Sequence, residues 1–146
     1  MLFVVILGSG SLLKQHASQT HHGARPQSVA ADNHGLIYLP DDAFTTAFAQ
    51  NATAEEQAQL AAIQRPIAWA CISVPVGRPL WKDKPSYFLV AEQDRMIAKE
   101  TQRFMAERMK AKQRSYPVDH IPSVTAPSVV VDIILEAVRD VTQSTK

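Results

Sequence analysis

Apolar runs separated by polar, glycine-rich and proline-rich stretches divide this chain into a few elements. Residues 2–7 form a continuous apolar run that closes on Gly8 and Gly10. Such a run is typical of a central parallel strand that is buried on both faces. Two further buried strands are predicted at residues 87–91 and 113–118. The three runs together indicate a small sheet as the centre of the fold.

Helical periodicity follows each of the two later strands. Residues 95–110 place Ile97, Phe104 and Met105 on one helical face. The last helix is predicted to start at Ala126 or Pro127, because proline suits the first helical position. Its predicted buried stripe consists of Val129, Val130, Ile133, Ile134, Ala137, Val138 and Val141. The order strand, helix, strand, helix predicts an α/β fold with parallel strands, right-handed crossovers and flanking helices.

Residues 36–72 show a different pattern, which predicts short helices. After an extended piece at residues 35–39, an aspartate is expected to cap a helix over residues 43–50. The capping box that begins at Thr53 predicts a second helix through Gln64, and Pro66 precedes a third over residues 67–72. We interpret residues 36–72 as a cap-like helical region; ordinary packing of a small helical layer is the alternative.

Length and composition limit the class of protein. With 146 residues, 46% of them hydrophobic, residues 1–146 are expected to form one domain. Fifteen basic and fourteen acidic side chains leave a formal charge of +1, which gives no electrostatic attraction to nucleic acid or anionic membranes. The apolar run at the start is shorter than the ~20 residues of a membrane span and has no basic residues before it. The single cysteine, Cys71, excludes an internal disulfide and agrees with a cytoplasmic location.

Two ionisable residues follow the later strands, Asp94 after the first and His120 after the second. Functional groups in parallel sheets collect where the strands end, so we expect these side chains to meet. An acid and a histidine are two members of a Ser-His-acid triad. The serine of such a triad stands in Gly-x-Ser-x-Gly, and the sequence contains no such motif. Ser9 and Ser11 lack the flanking glycines and are interpreted as turn residues.

Each of these two residues also has a structural interpretation. Asp94 suits the N-cap of a helix that begins at Arg95, and His120 suits a loop position satisfied by the backbone. Three histidines, His16, His21 and His22, lie in a polar stretch without supporting Cys or Asp spacing. They are interpreted as solvated, so no metal site is predicted.

Four segments, residues 64–68, 84–97, 102–106 and 119–127, resemble the C-terminal half of the α/β-hydrolases. The similarity is to the small esterases related to plant methylesterases and hydroxynitrile lyases. It implies that Asp94 is the triad acid, that His120 is the general base and that residues 2–7 match the sixth strand of that fold. Ile121 stands where hydroxynitrile lyases carry a lysine, which favours carboxylic ester hydrolysis over cyanohydrin cleavage.

The resemblance covers only the second half of that family. It implies a partial α/β-hydrolase fold, a truncated chain, and no nucleophile elbow or oxyanion-hole loop of its own. The expected partner is a small-molecule ester without a cofactor, and Trp81, Tyr38 and Phe48 are expected to contact its acyl or aromatic group. Three hypotheses remain open: a hydrolase half that needs a serine from elsewhere, a non-catalytic binding or interaction remnant, and a truncated product that self-associates through an exposed sheet edge.

Overall fold

The computed structural model describes residues 31–75 and 77–143. The strand predicted at residues 2–7 therefore lies outside the described residues, as do Ser9, Ser11, His16, His21 and His22. In chain order, the elements are β1 (Leu36–Ile37), α1 (Asp41–Ala43) with a π-helical turn (Phe44–Phe48), α2 (Ala54–Ile63), β2 (Ile67–Ala68), α3 (Ala70–Ser73), a 3₁₀ turn (Leu80–Lys82), β3 (Tyr87–Ala91), α4 (Lys99–Arg108), β4 (Lys112–Tyr116), α5 (Pro122–Thr125) and α6 (Pro127–Gln143).

The strands β3 and β4 form a parallel pair, in register from Tyr87 opposite Lys112 to Ala91 opposite Tyr116. The helix α4 connects the two strands, and both α4 and α6 pack against β3. The core between them contains the buried side chains of Val90, Ala106 and Ile133. This strand–helix–strand unit confirms the predicted α/β class and places the ends of β3 and β4 at one edge.

The prediction for α4 was wrong at its start. The helix begins at Lys99 rather than Arg95, because the carboxylate of Asp94 binds the backbone N–H groups of Met96 and Ile97 and holds residues 95–98 in a turn. The fourth strand also differs, since it spans Lys112–Tyr116 rather than residues 113–118.

The cap-like region contains a small antiparallel pair in addition to helices. Ile67 lies opposite Ile37 in the ladder between β1 and β2. The predicted helix over residues 67–72 is therefore wrong at its start, and the helical residues there are Ala70–Ser73. The capping box is confirmed, because Thr53 and Glu56 each bond the other's backbone N–H at the start of α2.

The first helix of this region also starts earlier than predicted. Pro40 occupies the N-cap, and Asp41 and Asp42 lie within the first turn. Acidic side chains there stabilise the helix, because they interact favourably with the positive end of its dipole. Gln64, at the end of α2, anchors the region to the chain after β1. Its amide accepts a hydrogen bond from Leu39 N–H and donates one to Leu39 O, both at 3.1 Å.

The apolar stripe of α6 is only partly covered. Val130 and Ile133 are buried, whereas Val138 and Val141 are about half exposed and Ile134 is 39% exposed. The expected burial of the whole stripe is thus wrong among the described residues, because the parallel sheet described there has two strands and covers one side of the stripe. Within residues 31–75 and 77–143, no helix combines the length and apolar character that crossing a bilayer requires.

Candidate active site

Asp94 lies in the tight turn that follows β3. Its Oδ1 accepts hydrogen bonds from Met96 N–H at 2.7 Å and Ile97 N–H at 3.0 Å. Its Oδ2 accepts from the Gln102 amide at 3.0 Å and faces His120 Nδ1 at 2.9 Å. Donors therefore occupy both carboxylate oxygens, so the carboxylate has one fixed orientation towards the histidine.

Gln102 is the buried support of this turn, and sequence reasoning missed it. The side chain projects from α4 and is 5% exposed. Its Oε1 accepts from Ala91 N–H at 2.8 Å, and its Nε2 donates to Ala91 O, Ile97 O and Asp94 Oδ2. A buried glutamine that bonds the end of β3 in this way fixes where the strand stops and where Asp94 points.

His120 follows β4 in a short loop and completes the pair. Its side chain is 12% exposed and that of Asp94 is 5% exposed, so the 2.9 Å contact is shielded from water. An ionised carboxylate can only accept hydrogen bonds, so beside an ionised Asp94 a neutral ring is assigned the tautomer with the proton on Nδ1, which leaves Nε2 as an acceptor. A histidine in that tautomer can take a proton through Nε2 while the carboxylate stabilises the resulting imidazolium.

A π-helical turn brings an aromatic side chain to this histidine. The hydroxyls of Thr45 and Thr46 both donate to Asp42 O, at 2.9 and 2.8 Å, and so compete with the backbone for that carbonyl. The wider turn then closes with Ala49 N–H donating to Phe44 O at 3.0 Å. Such wide turns occur frequently at functional sites.

This π-helical turn places the side chain of Phe48 beside His120. Its ring centroid lies 5.2 Å from that of His120, at an interplanar angle of 50°. Phe44 packs edge-on against Phe48 at 5.3 Å and is itself buried. The ring of Phe48 thus forms an apolar wall beside the imidazole.

A second carboxylate, Asp119, lies directly before the histidine and is fully buried. Its Oδ1 accepts from the Thr125 hydroxyl at 2.6 Å and from Ile121 N–H at 3.3 Å. Its Oδ2 accepts from Asn51 N–H at 3.1 Å. Because a buried aspartate is rare unless it is paired, this residue is structurally significant, and sequence reasoning missed it as well.

A polar cavity of about 460 Å³ opens beside the acid of the pair and is lined by Gln50, Asn51, Glu92, Gln93, Asp94 and Arg95. Gln50 Nε2 donates to Gln93 O at 2.7 Å, and Arg95 donates to Thr46 O at 3.0 Å. Gln50 Oε1 is buried without a hydrogen-bond partner among the described residues. The lining of the cavity is therefore polar, with two carboxylates, three amides and one guanidinium.

Tyr38 and Trp81 are the other two predicted substrate contacts. Tyr38 follows β1 and is 47% exposed. Trp81 lies in the 3₁₀ turn. Lys82 Nζ and Arg108 Cζ each lie 5.7 Å from the centroid of its ring. Among the described residues, no hydrogen bond or ring contact joins either side chain to Asp94 or His120, in contrast to Phe48. In the same part of the chain, no three His, Cys, Asp or Glu side chains converge as a metal site requires.

Comparison with known proteins supports the fold. No family model matches the sequence, and no curated protein matches it. The solved structure of polyneuridine aldehyde esterase is similar in fold, with a TM-score of 0.62 and 15% sequence identity; the match covers 75% of this chain and 46% of that one. This chain therefore has an α/β fold that matches part of that structure, and it spans less than half of that structure's length.

Proposed function

We propose that this chain supplies the general base and the orienting acid of a carboxylic ester hydrolase. The observation that carries the proposal is the shielded 2.9 Å contact between His120 Nδ1 and Asp94 Oδ2. The two residues come from the ends of two parallel strands, where α/β folds collect their functional groups. His120 would act as the base, and Asp94 would hold its tautomer and stabilise the imidazolium.

The chemistry of the pair follows from the free nitrogen of the ring. Nε2 takes the proton of an attacking hydroxyl group while the oxygen of that hydroxyl forms a bond to the ester carbonyl carbon. The π electrons of the carbonyl group move to the carbonyl oxygen. They then return to the C–O double bond as the single bond to the alcohol oxygen breaks, and Nε2 gives its proton to the departing alkoxide. Where the attacking group is a serine, a water molecule repeats the sequence on the acyl intermediate and releases the acid.

The nucleophile is the part of the site that the sequence does not identify. Since no Gly-x-Ser-x-Gly motif is present, we propose that the serine comes from a polypeptide segment other than these 146 residues. Water can replace the serine as nucleophile for a reactive ester, at a much lower rate. Phe48 would bound the acyl or aromatic group of the substrate, and we retain Tyr38 and Trp81 as proposed contacts of a more extended ester.

The experiment is hydrolysis of a short-chain nitrophenyl ester by the purified chain and by His120→Ala. With water as nucleophile, the rate above buffer is expected to be small but to fall by about a hundredfold in the variant, the lower end of what a positioned general base contributes. His34→Ala is the matched control, because this substitution removes the same imidazole ring from an exposed turn. Its rate is expected to equal that of the wild type.

Equal rates for the wild type, His120→Ala and His34→Ala would contradict the proposal. Circular dichroism must show that each variant keeps the helical content of the wild type, so that a loss of rate is not a loss of fold. Equal rates in three folded proteins would favour the non-catalytic binding or interaction remnant.

A further inference from the structure

The buried carboxylate of Asp119 is not a member of the acid–base pair, yet it is less exposed than either member. Asp119 is 0% exposed, whereas the side chains of His120 and Asp94 are 12% and 5% exposed. A carboxylate in such a place is stable when hydrogen bonds replace the water that it loses. The origin of its three donors therefore indicates what the residue does.

Each donor comes from a different part of the site. Ile121 N–H belongs to the histidine loop itself, the Thr125 hydroxyl belongs to α5, and Asn51 N–H belongs to the segment that follows the π-helical turn. The first two fix the backbone on the C-terminal side of His120. The third fixes the loop to the segment that carries Phe48.

We propose that Asp119 is a positioning residue for His120, which it holds against Asp94 and Phe48 by joining the histidine loop to Asn51 and Thr125. Because His120 is bonded to its neighbour Asp119 through one peptide unit, a shift of the carboxylate moves the backbone from which the imidazole projects. The 2.9 Å contact to Asp94 then lengthens. The catalytic meaning of this inference rests on the proposed function, whereas its geometric content does not.

The test follows the proton on His120 Nδ1 by nitrogen-edited NMR and measures its exchange with water. In Asp119→Asn, the amide nitrogen faces at least one backbone or hydroxyl donor and cannot accept from it. The exchange of the Nδ1 proton is expected to be about tenfold faster than in the wild type, as loss of one buried hydrogen bond predicts. Asp32→Asn is the matched control, since Asp32 also bonds two backbone N–H groups but lies in an exposed turn.

A second pair of variants covers the case in which Asp119→Asn does not fold. Thr125→Val removes the 2.6 Å hydroxyl contact and keeps the carboxylate, and exchange is expected to rise about threefold. Thr125→Ser restores the hydroxyl and is expected to restore the slow exchange. An unchanged exchange rate in folded Asp119→Asn, or in Thr125→Val, would overturn the inference.

This readout separates the two proposals. If no ester hydrolysis depends on His120 but the exchange rate responds to Asp119 and Thr125, the proposed function fails and the positioning role stands. If hydrolysis depends on His120 and neither hydrolysis nor exchange responds to Asp119→Asn, the positioning role fails alone.

Discussion

The carboxylate of Asp94 makes two kinds of contact, one to the turn that follows β3 and one to His120. The predicted N-cap role is wrong, because α4 begins at Lys99 and Ala98 occupies its N-cap. Oδ1 of Asp94 instead binds Met96 and Ile97 N–H within the turn, while Oδ2 faces the imidazole. The contacts to the turn orient the acid towards the histidine. Sequence spacing predicted the meeting of Asp94 and His120, but not the turn that produces it.

Substitution of Asp94 by asparagine tests these two kinds of contact. The amide nitrogen must face backbone donors or the Nδ1 proton, so the free energy of unfolding is expected to fall by about 1–3 kcal/mol. Urea unfolding monitored by circular dichroism measures this loss. Asp32→Asn, in an exposed turn, is expected to lose less than half as much, and equal losses in both variants would contradict the account.

Two of the residues that support the site were given no role from the sequence. Gln102 and Asp119 lie within segments that carry the resemblance, but their burial depends on which face of α4 and which loop the tertiary fold covers. Phe48 was predicted as a contact because it is aromatic in the cap-like region. Its place beside His120 depends on the π-helical turn, which the hydroxyls of Thr45 and Thr46 favour.

At the scale of elements, α4 ends in a turn with an unusual residue. Lys110 has a positive φ of 52°, and Ala111 N–H and Lys110 N–H bond Ala106 O and Glu107 O, both at 2.9 Å. This is the Schellman pattern of helix termination, in which glycine normally takes the left-handed position. The side chain of Lys110 therefore adds strain at the connection between α4 and β4.

Lys110→Gly is expected to stabilise the protein, because a left-handed conformation costs a non-glycine residue about 1 kcal/mol and costs glycine almost nothing. Thermal unfolding should show a higher midpoint. Lys99→Gly removes the same side chain at the first residue of α4 and should lower the midpoint instead. A fall in the midpoint for Lys110→Gly would show that the strain is absent.

The elements themselves were predicted unevenly, for physical reasons. The apolar run Tyr87–Ala91 and the proline start of α6 are local signals, and both are confirmed. The pairing of Ile67–Ala68 with β1 joins residues about thirty positions apart in the sequence, so no local pattern predicts it. The short cap-like helices depend on such contacts more than on propensity, since isolated helices of that length are unstable.

At the scale of the whole molecule, a charged cluster joins α6 to the sheet. Lys112 lies 2.7 Å from Glu136 and 2.9 Å from Asp140, and Tyr87 donates to Asp140 at 2.8 Å. Hydrogen bonds from Lys112 and Tyr87 lower the pKa of Asp140 below 3.8. Hydrogen bonds to Glu136 and Asp140 raise the pKa of Lys112 above 10.5, and burial with the bond to Asp140 raises the pKa of Tyr87 above 10.0.

The pH dependence of stability follows from these directions. The lowered pKa of Asp140 contributes stability above pH 3.8 that is lost as the pH falls through the folded value. The raised pKa values of Tyr87 and Lys112 contribute stability below pH 10.0 and 10.5 that is lost as the pH rises through the folded values. The contribution of this cluster is thus expected to be constant in the neutral range.

Thermal unfolding of the wild type and Asp140→Asn across pH measures the acid limb. The midpoint of the variant is expected to lie below that of the wild type at neutral pH, and the difference should shrink below pH 3.8. The effect is modest because the cluster is partly exposed and screened by salt. Asp132→Asn is the control on the same helix, and a pH-independent difference for Asp140→Asn would contradict the assignment.

The arrangement of the whole molecule was predicted in outline. Alternating strands and helices predicted the parallel pair and its crossover, and the similar fold of a solved esterase structure agrees with that outline. Periodicity did not predict which part of the α6 stripe is covered, because burial depends on how many strands lie beneath the helix. The half-exposed Val138 and Val141 illustrate that limit.

Asp94 is expected to hold His120 with its proton on Nδ1. Nitrogen chemical shifts of the His120 ring, measured by NMR at a pH where the ring is neutral, report the tautomer directly. We expect a protonated Nδ1 and an unprotonated Nε2 in the wild type, with that preference lost in Asp94→Asn. A proton on Nε2 in the wild type, or an unchanged tautomer in a folded Asp94→Asn, would contradict this expectation.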